Sequence, residues 1–83
     1  MPLKRLTTAK KKTVGTKQTV KAIEKGLAKT VFVAEDADAH ITNPIVSLSN
    51  EKGIPIVYAD TMKNLGKACG IEVGCASAAV LEE

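Results

Sequence analysis

Aromatic side chains are almost missing from this sequence: its 83 residues hold one Phe, one Tyr and no Trp. Folds that grip single-stranded nucleic acid by stacking bases need several rings on one surface, so that mode finds little support here. Histidine is as scarce. The single His40 falls in a polar stretch and is read as an ordinary surface residue. Cysteine is limited to Cys69 and Cys75, a C-x5-C spacing that matches neither a zinc C-x2-4-C pair nor a redox C-x-x-C. With no secretory signal ahead of them, they are expected to be reduced, structural thiols in a cytoplasmic protein. No apolar run reaches the ~18–20 residues of a membrane span, and the start MPLKRLTTAKKK leads into no signal-peptide core.

Other absences narrow the chemistry. A chain this short buries only roughly two-thirds of the surface its unfolded form exposes, which leaves no room for a large cleft between lobes. Glu35, Asp36 and Asp38 lack the alternating oxygen ligands and closing Glu of a calcium loop. Gly15-Thr16-Lys17 has the residue types of a phosphate loop without the G-x-x-x-x-G-K-[ST] spacing. No nucleophile, base and orienting group can be assembled into a set. The expectation is a protein that is not an enzyme, with no catalytic residue, no metal, no cofactor and no small-molecule substrate.

What is present is a lopsided charge. Residues 1–29 carry nine Lys/Arg against Glu24 alone, a formal +8, and residues 30–83 carry three Lys against eight Asp/Glu, a formal −5. Such asymmetry points to one basic surface for a polyanion, with a solvated Lys-rich end as the plainer alternative.

The pattern of apolar residues predicts one domain over 1–83. Leu3, Leu6 and Ala9 suit a short helix within the first ten residues, and Lys12–Val14 a short strand. Thr16–Lys25 reads as a helix ended by Gly26, with Val20, Ile23 and Leu27 on one face and Lys17, Gln18, Lys21 and Lys25 on another. Thr30–Ala34 is a buried strand, and Glu35–Asp38 a polar loop. Asn43-Pro44 reads as the cap and first position of a helix that buries Ile41, Ile45 and Leu48 and closes at Gly53. Ile54–Ala59 is the next strand. Asp60 or Thr61 caps a helix turning Met62, Leu65 and Cys69 inward as far as Gly70, and Cys75–Leu81 is the last strand. This alternation predicts an α/β fold: a three-layer α/β/α sandwich with a small four-stranded mixed sheet.

Two constellations stand out. Gly15-Thr16-Lys17-Gln18-Thr19-Val20-Lys21 joins a glycine, which lets a backbone approach closely, to a helix start whose free amides favour an anion. Lys17, Gln18 and Lys21 beside it suit the edges of bases. A capped amphipathic helix with lysines for solubility explains the same residues. Gly70-Ile71-Glu72-Val73-Gly74 is a glycine-bracketed loop with two apolar residues, fit either to lie under an unstacked base or to plug the edge of the core.

Taken together, three segments resemble a known family, the kink-turn-binding ribosomal proteins of the L-seven-Ae and L-thirty-e type. They are Gly15–Lys21, Val33-Ala34-Glu35-Asp36-Ala37-Asp38 and Leu65-Gly66-Lys67-Ala68-Cys69-Gly70-Ile71-Glu72-Val73, in the family's order and spacing. The length and the Lys17-Gln18 pair look most like its short bacterial members. The resemblance implies a monomeric, ribosome-associated protein that recognises kink-turn RNA: a bulge followed by tandem sheared G·A pairs. It implies that Gly15, Thr16, Lys17, Gln18 and Lys21 meet the G·A pairs, that Ile71, Glu72 and Val73 cover the bulged nucleotides, that Asp38 lies near the extruded base and that Lys63 lies near phosphate. Many members have Asn-Glu where this chain has Lys17-Gln18, which removes an acceptor for guanine protons and adds charge. The remaining amino-terminal lysines are expected to flank this site and face phosphates. A protein–protein scaffold and a binder of a small phosphate ligand at the Gly15 loop remain as alternatives.

Overall fold

In a computed structural model that describes residues 3–82, the chain runs α1 (Lys4–Thr8), β1 (Lys11–Val14), α2 (Thr16–Glu24), β2 (Thr30–Ala34), α3 (Ala39–Glu51), β3 (Ile56–Ala59), α4 (Met62–Cys69) and β4 (Ser77–Glu82). Met1 and Pro2 of the expected first helix, and Glu83 at the end of the expected domain, lie outside the described residues. The four strands form one mixed sheet in the order β1-β4-β2-β3. β2 and β3 run parallel, and β4 runs antiparallel to both β1 and β2.

The centre of the sheet follows from composition. Thr30-Val31-Phe32-Val33-Ala34 has β-branched or apolar residues on both faces, and all five are buried, as a strand covered on both sides requires. Alternate side chains then feed two separate cores. Phe32, Ala34, Ala78 and Val80 point to the side covered by α1 and α4, where Leu6, Leu65 and Cys69 meet them. Val31, Val33 and Ala79 point to the other side, under Ala22 and Ile23 of α2 and Ile45 of α3. The expected three-layer α/β/α sandwich with a four-stranded mixed sheet is the observed fold.

Three helices end the same way. Gly26, Gly53 and Gly70 take positive φ, and the amide after each donates back five residues: Leu27 N–H to Ala22 O, Ile54 N–H to Ser49 O, and Ile71 N–H to Gly66 O. These are Schellman closures, in which a left-handed residue satisfies carbonyls left over at the helix end.

Several boundaries differ from the sequence reading. α3 begins at Ala39, not at Asn43-Pro44. The Asp38 carboxylate accepts from the His40 amide at 2.8 Å, and Pro44 lies inside the helix. A proline there forfeits only the bond to the His40 carbonyl, on an exposed turn. His40 therefore belongs to a helix, not to a loop. Ile41 is 44% exposed, in the first turn of α3 and one turn ahead of the buried Ile45, and Leu27 is exposed because it follows the helix rather than belonging to it. Met62 is at the α4 amino end and also reaches solvent. β3 starts at Ile56 and β4 at Ser77, each two residues later than expected, after Pro55 and after a turn that carries Cys75.

Candidate functional site

One end of the sheet gathers the segments singled out in the sequence. Across it, Gly15 N–H donates to Ser77 O at 3.0 Å, Ala34 N–H to Ala76 O at 2.9 Å and Glu35 N–H to Ala59 O at 2.8 Å. The carboxyl ends of β1, β2 and β3 thus lie level with the amino end of β4. From this edge α2, α3 and α4 depart, and to it the chain returns through Gly70–Gly74. The antiparallel course of β4 brings that loop to the same edge as Gly15 and the Glu35–Asp38 turn.

The three helix starts differ in what they leave open. The Asp38 carboxylate caps α3. At α4 the Thr61 hydroxyl accepts from the Asn64 amide at 3.0 Å, Asp36 Oδ1 accepts from the Met62 amide at 2.7 Å, and Asp60 Oδ1 accepts from the Thr61 amide and the Asn64 side chain. At α2 the capping position is Gly15, which has no side-chain oxygen to offer the first amides. Those amides, with the positive end of the helix dipole, suit an anionic or carbonyl-rich ligand. Gly15 sits at φ 92° and ψ 159°, backbone space that side-chain-bearing residues avoid.

Residues beneath this helix start hold it in place. Ser77 is fully buried; its carbonyl takes the Gly15 amide and its hydroxyl donates to the Thr16 hydroxyl at 3.4 Å. The Thr13 and Thr19 hydroxyls bond at 3.0 Å, tying β1 to the first turn of α2. With Thr19, Ala22 and Ile23 buried, helical geometry leaves Lys17, Gln18 and Lys21 exposed as neighbours one turn apart. The pair of ammonium groups and one amide presents several donors and one acceptor in a small area.

The Gly70–Gly74 loop folds back along α4. Gly66 is its seat: the Val73 carbonyl lies against the Gly66 α-carbon so closely that a β-carbon has no space. Cys75 N–H then donates to Met62 O at 3.1 Å. Ile71 is half-buried and packs on the α1/α4 core, so the plug reading applies to it. Glu72 is exposed, and Val73 projects with 70% of its surface free. Lys63 is exposed in the first turn of α4, at the same edge. Asp38 stands there as well, with one carboxylate oxygen engaged in its cap.

Spacing alone did not single out Gly66 or Ser77. A glycine inside a helix is the signal that marks a close backbone approach at Gly66; Ser77 carries no such mark. The flanking lysines need a correction. Lys12 Nζ donates to the Leu6 carbonyl at 3.2 Å, closing α1, and Lys11 lies 3.9 Å from the Glu82 carboxylate, at the opposite end of β1 from Gly15. The two aromatic residues are elsewhere too: Phe32 is in the core and Tyr58 on the β3 edge. Among the described residues no group of three or more His, Cys, Asp or Glu is placed to hold a metal ion, and no helix is long and apolar enough to cross a membrane.

Comparison with known proteins gives the same assignment from three directions. The family described as ribosomal protein L7Ae/L30e/S12e/Gadd45 matches residues 2–83. An RNA-binding protein of Bacillus pumilus (strain SAFR-032) is 52% identical over 68 residues, 82% of this chain and 83% of that protein. An RNA-binding protein of Geobacillus thermodenitrificans (strain NG80-2) is 46% identical over 81 residues, 98% of this chain and 99% of its own length. Among solved structures, the 15.5kD RNA binding protein of Giardia lamblia superposes with a TM-score of 0.85 at 26% identity, covering 98% of this chain and 68% of that one.

Proposed function

Since the chain belongs to the ribosomal protein L7Ae/L30e/S12e/Gadd45 family, we propose that it binds RNA, and that its target is the kink-turn. The observation that carries this reading is the single edge shared by the uncapped α2 start, with Lys17, Gln18 and Lys21, and the exposed Val73 loop. The whole chain, 1–83, acts as one RNA-binding domain. It works as a monomer in the cytoplasm, in association with the ribosome, and needs no metal or cofactor of its own.

The physical argument concerns access. A-form RNA has a deep, narrow major groove that side chains cannot read, so a helix end can enter only where the helix is bent open. At such a bend the Gly15 and Thr16 backbone approaches the RNA, and Lys17, Gln18 and Lys21 donate to guanine edges at the G·A pairs. Ile71, Glu72 and Val73 cover the bulged nucleotides with an aliphatic surface instead of a ring. Asp38 lies beside the extruded base, and Lys63 faces phosphate. A protein that fits only the bent RNA draws the population toward that form, by no more than its difference in affinity for the two forms.

A gel-shift comparison tests the proposal, with a kink-turn RNA set against the same RNA whose G·A pairs are disrupted. Preference for the intact kink-turn supports it. Equal affinity for both RNAs reduces the interaction to electrostatic attachment. Failure to bind either RNA removes the reading in favour of a protein partner.

A further inference from the structure

Cys69 ends α4 and Cys75 lies just before β4, so the two cysteines bracket the Gly70–Gly74 loop. Both are free thiols turned into the α1/α4 core, with sulfurs 3.9 Å apart. A disulfide needs a sulfur separation of ~2.05 Å, a closure of about 1.9 Å. The chain between them cannot yield on its inner side, because the Val73 carbonyl already presses on Gly66 and the Cys75 amide is held by Met62 O. Closure of the sulfurs therefore falls to rotation of the two side chains and to the exposed part of the loop.

The two sulfurs are not equivalent. The hydrogen bond between the two thiols holds Cys75 below the usual thiol range, opposed by burial and helped by the Gly15 backbone. Cys69 is pushed up by that same bond, then by burial and by the charge on Cys75, with Lys12 acting the other way. These shifts belong to the pair, in which either thiol can donate, so either sulfur can make the first attack. Cys75 is two residues from Ser77, whose carbonyl holds the Gly15 amide, so the same turn closes the loop and leads into the support of the α2 start.

We propose that Cys69 and Cys75 are a reversible modification site: a small-molecule disulfide oxidises them to an intramolecular disulfide that braces the Gly70–Gly74 loop and weakens its contact with RNA. Only the last clause rests on the RNA-binding function proposed above. In the first step, as the loop opens, one of the two thiols gives its proton to water and attacks one sulfur of the small disulfide; a mixed disulfide forms, the small-molecule S–S bond breaks, and one thiolate leaves and takes a proton from water. In the second step the other cysteine gives its proton to water and attacks the protein sulfur of the mixed disulfide. The protein disulfide forms, the bond to the small molecule breaks, and the second thiolate leaves. Two electrons pass from the protein to the oxidant, which becomes two thiols, and an excess of small thiol reverses both steps.

The test uses the full chain, oxidised glutathione, and the Cys75→Ala and Cys69→Ala variants. Intact mass is expected to fall by about 2 Da with no lasting glutathione adduct, and a reductant is expected to restore it. Hydrogen exchange of the 70–74 amides is expected to slow in the oxidised form, a readout that needs no RNA. Affinity for a kink-turn RNA is expected to fall by about 5- to 50-fold on oxidation. The alanine variants, with thermal unfolding showing that they fold, are expected to stop at a glutathione adduct or stay unmodified, to form no intramolecular disulfide and to show no slowing of loop exchange with oxidant. A wild-type protein that gains only a glutathione adduct, or one whose disulfide leaves loop exchange unchanged, overturns the proposal. A disulfide that brackets the loop without changing RNA affinity overturns its regulatory part. If the reduced protein binds no kink-turn RNA, the proposed function falls, while mass and exchange still decide whether the disulfide forms and braces the loop.

Discussion

At the scale of single residues, the exposed row of α2 divides by its distance from the helix start. Lys17, Gln18 and Lys21 flank the uncapped helix start, whereas Lys25 sits at the far end of the same exposed face. Gln18→Ala and Lys21→Ala are each expected to weaken kink-turn binding by roughly 1–3 kcal/mol and to leave binding to a straight duplex almost unchanged. Lys25→Ala serves as the comparison, and equal losses on both RNAs for all three variants would reduce the row to a diffuse charge. A second residue-scale expectation concerns stability alone. Ser49 is fully buried in α3, and its hydroxyl has no hydrogen-bond partner among the described residues. A buried polar group left unpaired costs free energy, and alanine is the better helix former. Ser49→Ala is therefore expected to raise stability by about 1 kcal/mol, read as a higher urea midpoint at unchanged slope; a lower midpoint would show that the hydroxyl has a partner after all.

Elements add constraints that no single residue states. Asp38 is both the cap of α3 and a candidate contact for an extruded base, and two substitutions pull these roles apart. Asparagine preserves the capping oxygen and removes the charge; alanine removes both. Asp38→Ala is expected to lower stability by about 0.5–2 kcal/mol and Asp38→Asn to leave it nearly unchanged, measured by thermal unfolding. If Asp38→Asn keeps full RNA affinity, the carboxylate serves the helix and not the RNA. The loop after α4 allows a sharper test, since Val73 is exposed while Ile71 is half-buried. Val73→Asp is expected to erase the preference for kink-turn over straight RNA at unchanged thermal stability, and an unaltered preference would detach this loop from the site. The order of elements, the sheet and the glycine-closed helix ends were legible because periodicity and left-handed turns are written locally. The start of α3 was not. Asn43-Pro44 is a strong local start signal, yet Asp38 supplies an equally good cap one turn earlier, and the exposed His40 carbonyl tolerates losing its partner. Only the packing of Thr42 and Ile45 against the sheet decides between them.

Across the whole molecule, the formal +8 of residues 1–29 turns out to be divided by the fold. Lys11 and Lys12 lie on β1, one beside Glu82 and the other closing α1, while Lys17 and Lys21 stand at the Gly15 edge, joined there by Lys63 from the acidic part of the chain. Sequence arithmetic reads such a segment as one basic surface because it cannot see that a strand separates its ends. It could see which side chains stand outward on α2, since those positions follow from helical spacing alone. It could not see that Ser77, sixty-one residues away from Thr16, props up the start of that helix. The division has a measurable consequence. Each phosphate neutralised releases counterions, so the logarithm of the binding constant falls with the logarithm of salt by about 0.7–0.9 per contact. With Lys63 facing phosphate and Lys17 and Lys21 carried between the phosphates of the opened groove as they reach the bases, three cations displace counterions and the expected slope is about −2 to −3; all nine basic residues of the amino-terminal third acting together would give about −6 to −8. Fluorescence anisotropy titrations of a labelled kink-turn RNA, repeated between about 50 and 200 mM potassium chloride, measure it. Lys10→Gln combined with Lys11→Gln is expected to leave the slope unchanged, and Lys17→Gln combined with Lys63→Gln to make it shallower by about 1.5–2. A steep slope that the first pair of substitutions reduces would mean that the far end of β1 touches RNA, and that the folded protein uses its charge as a single surface.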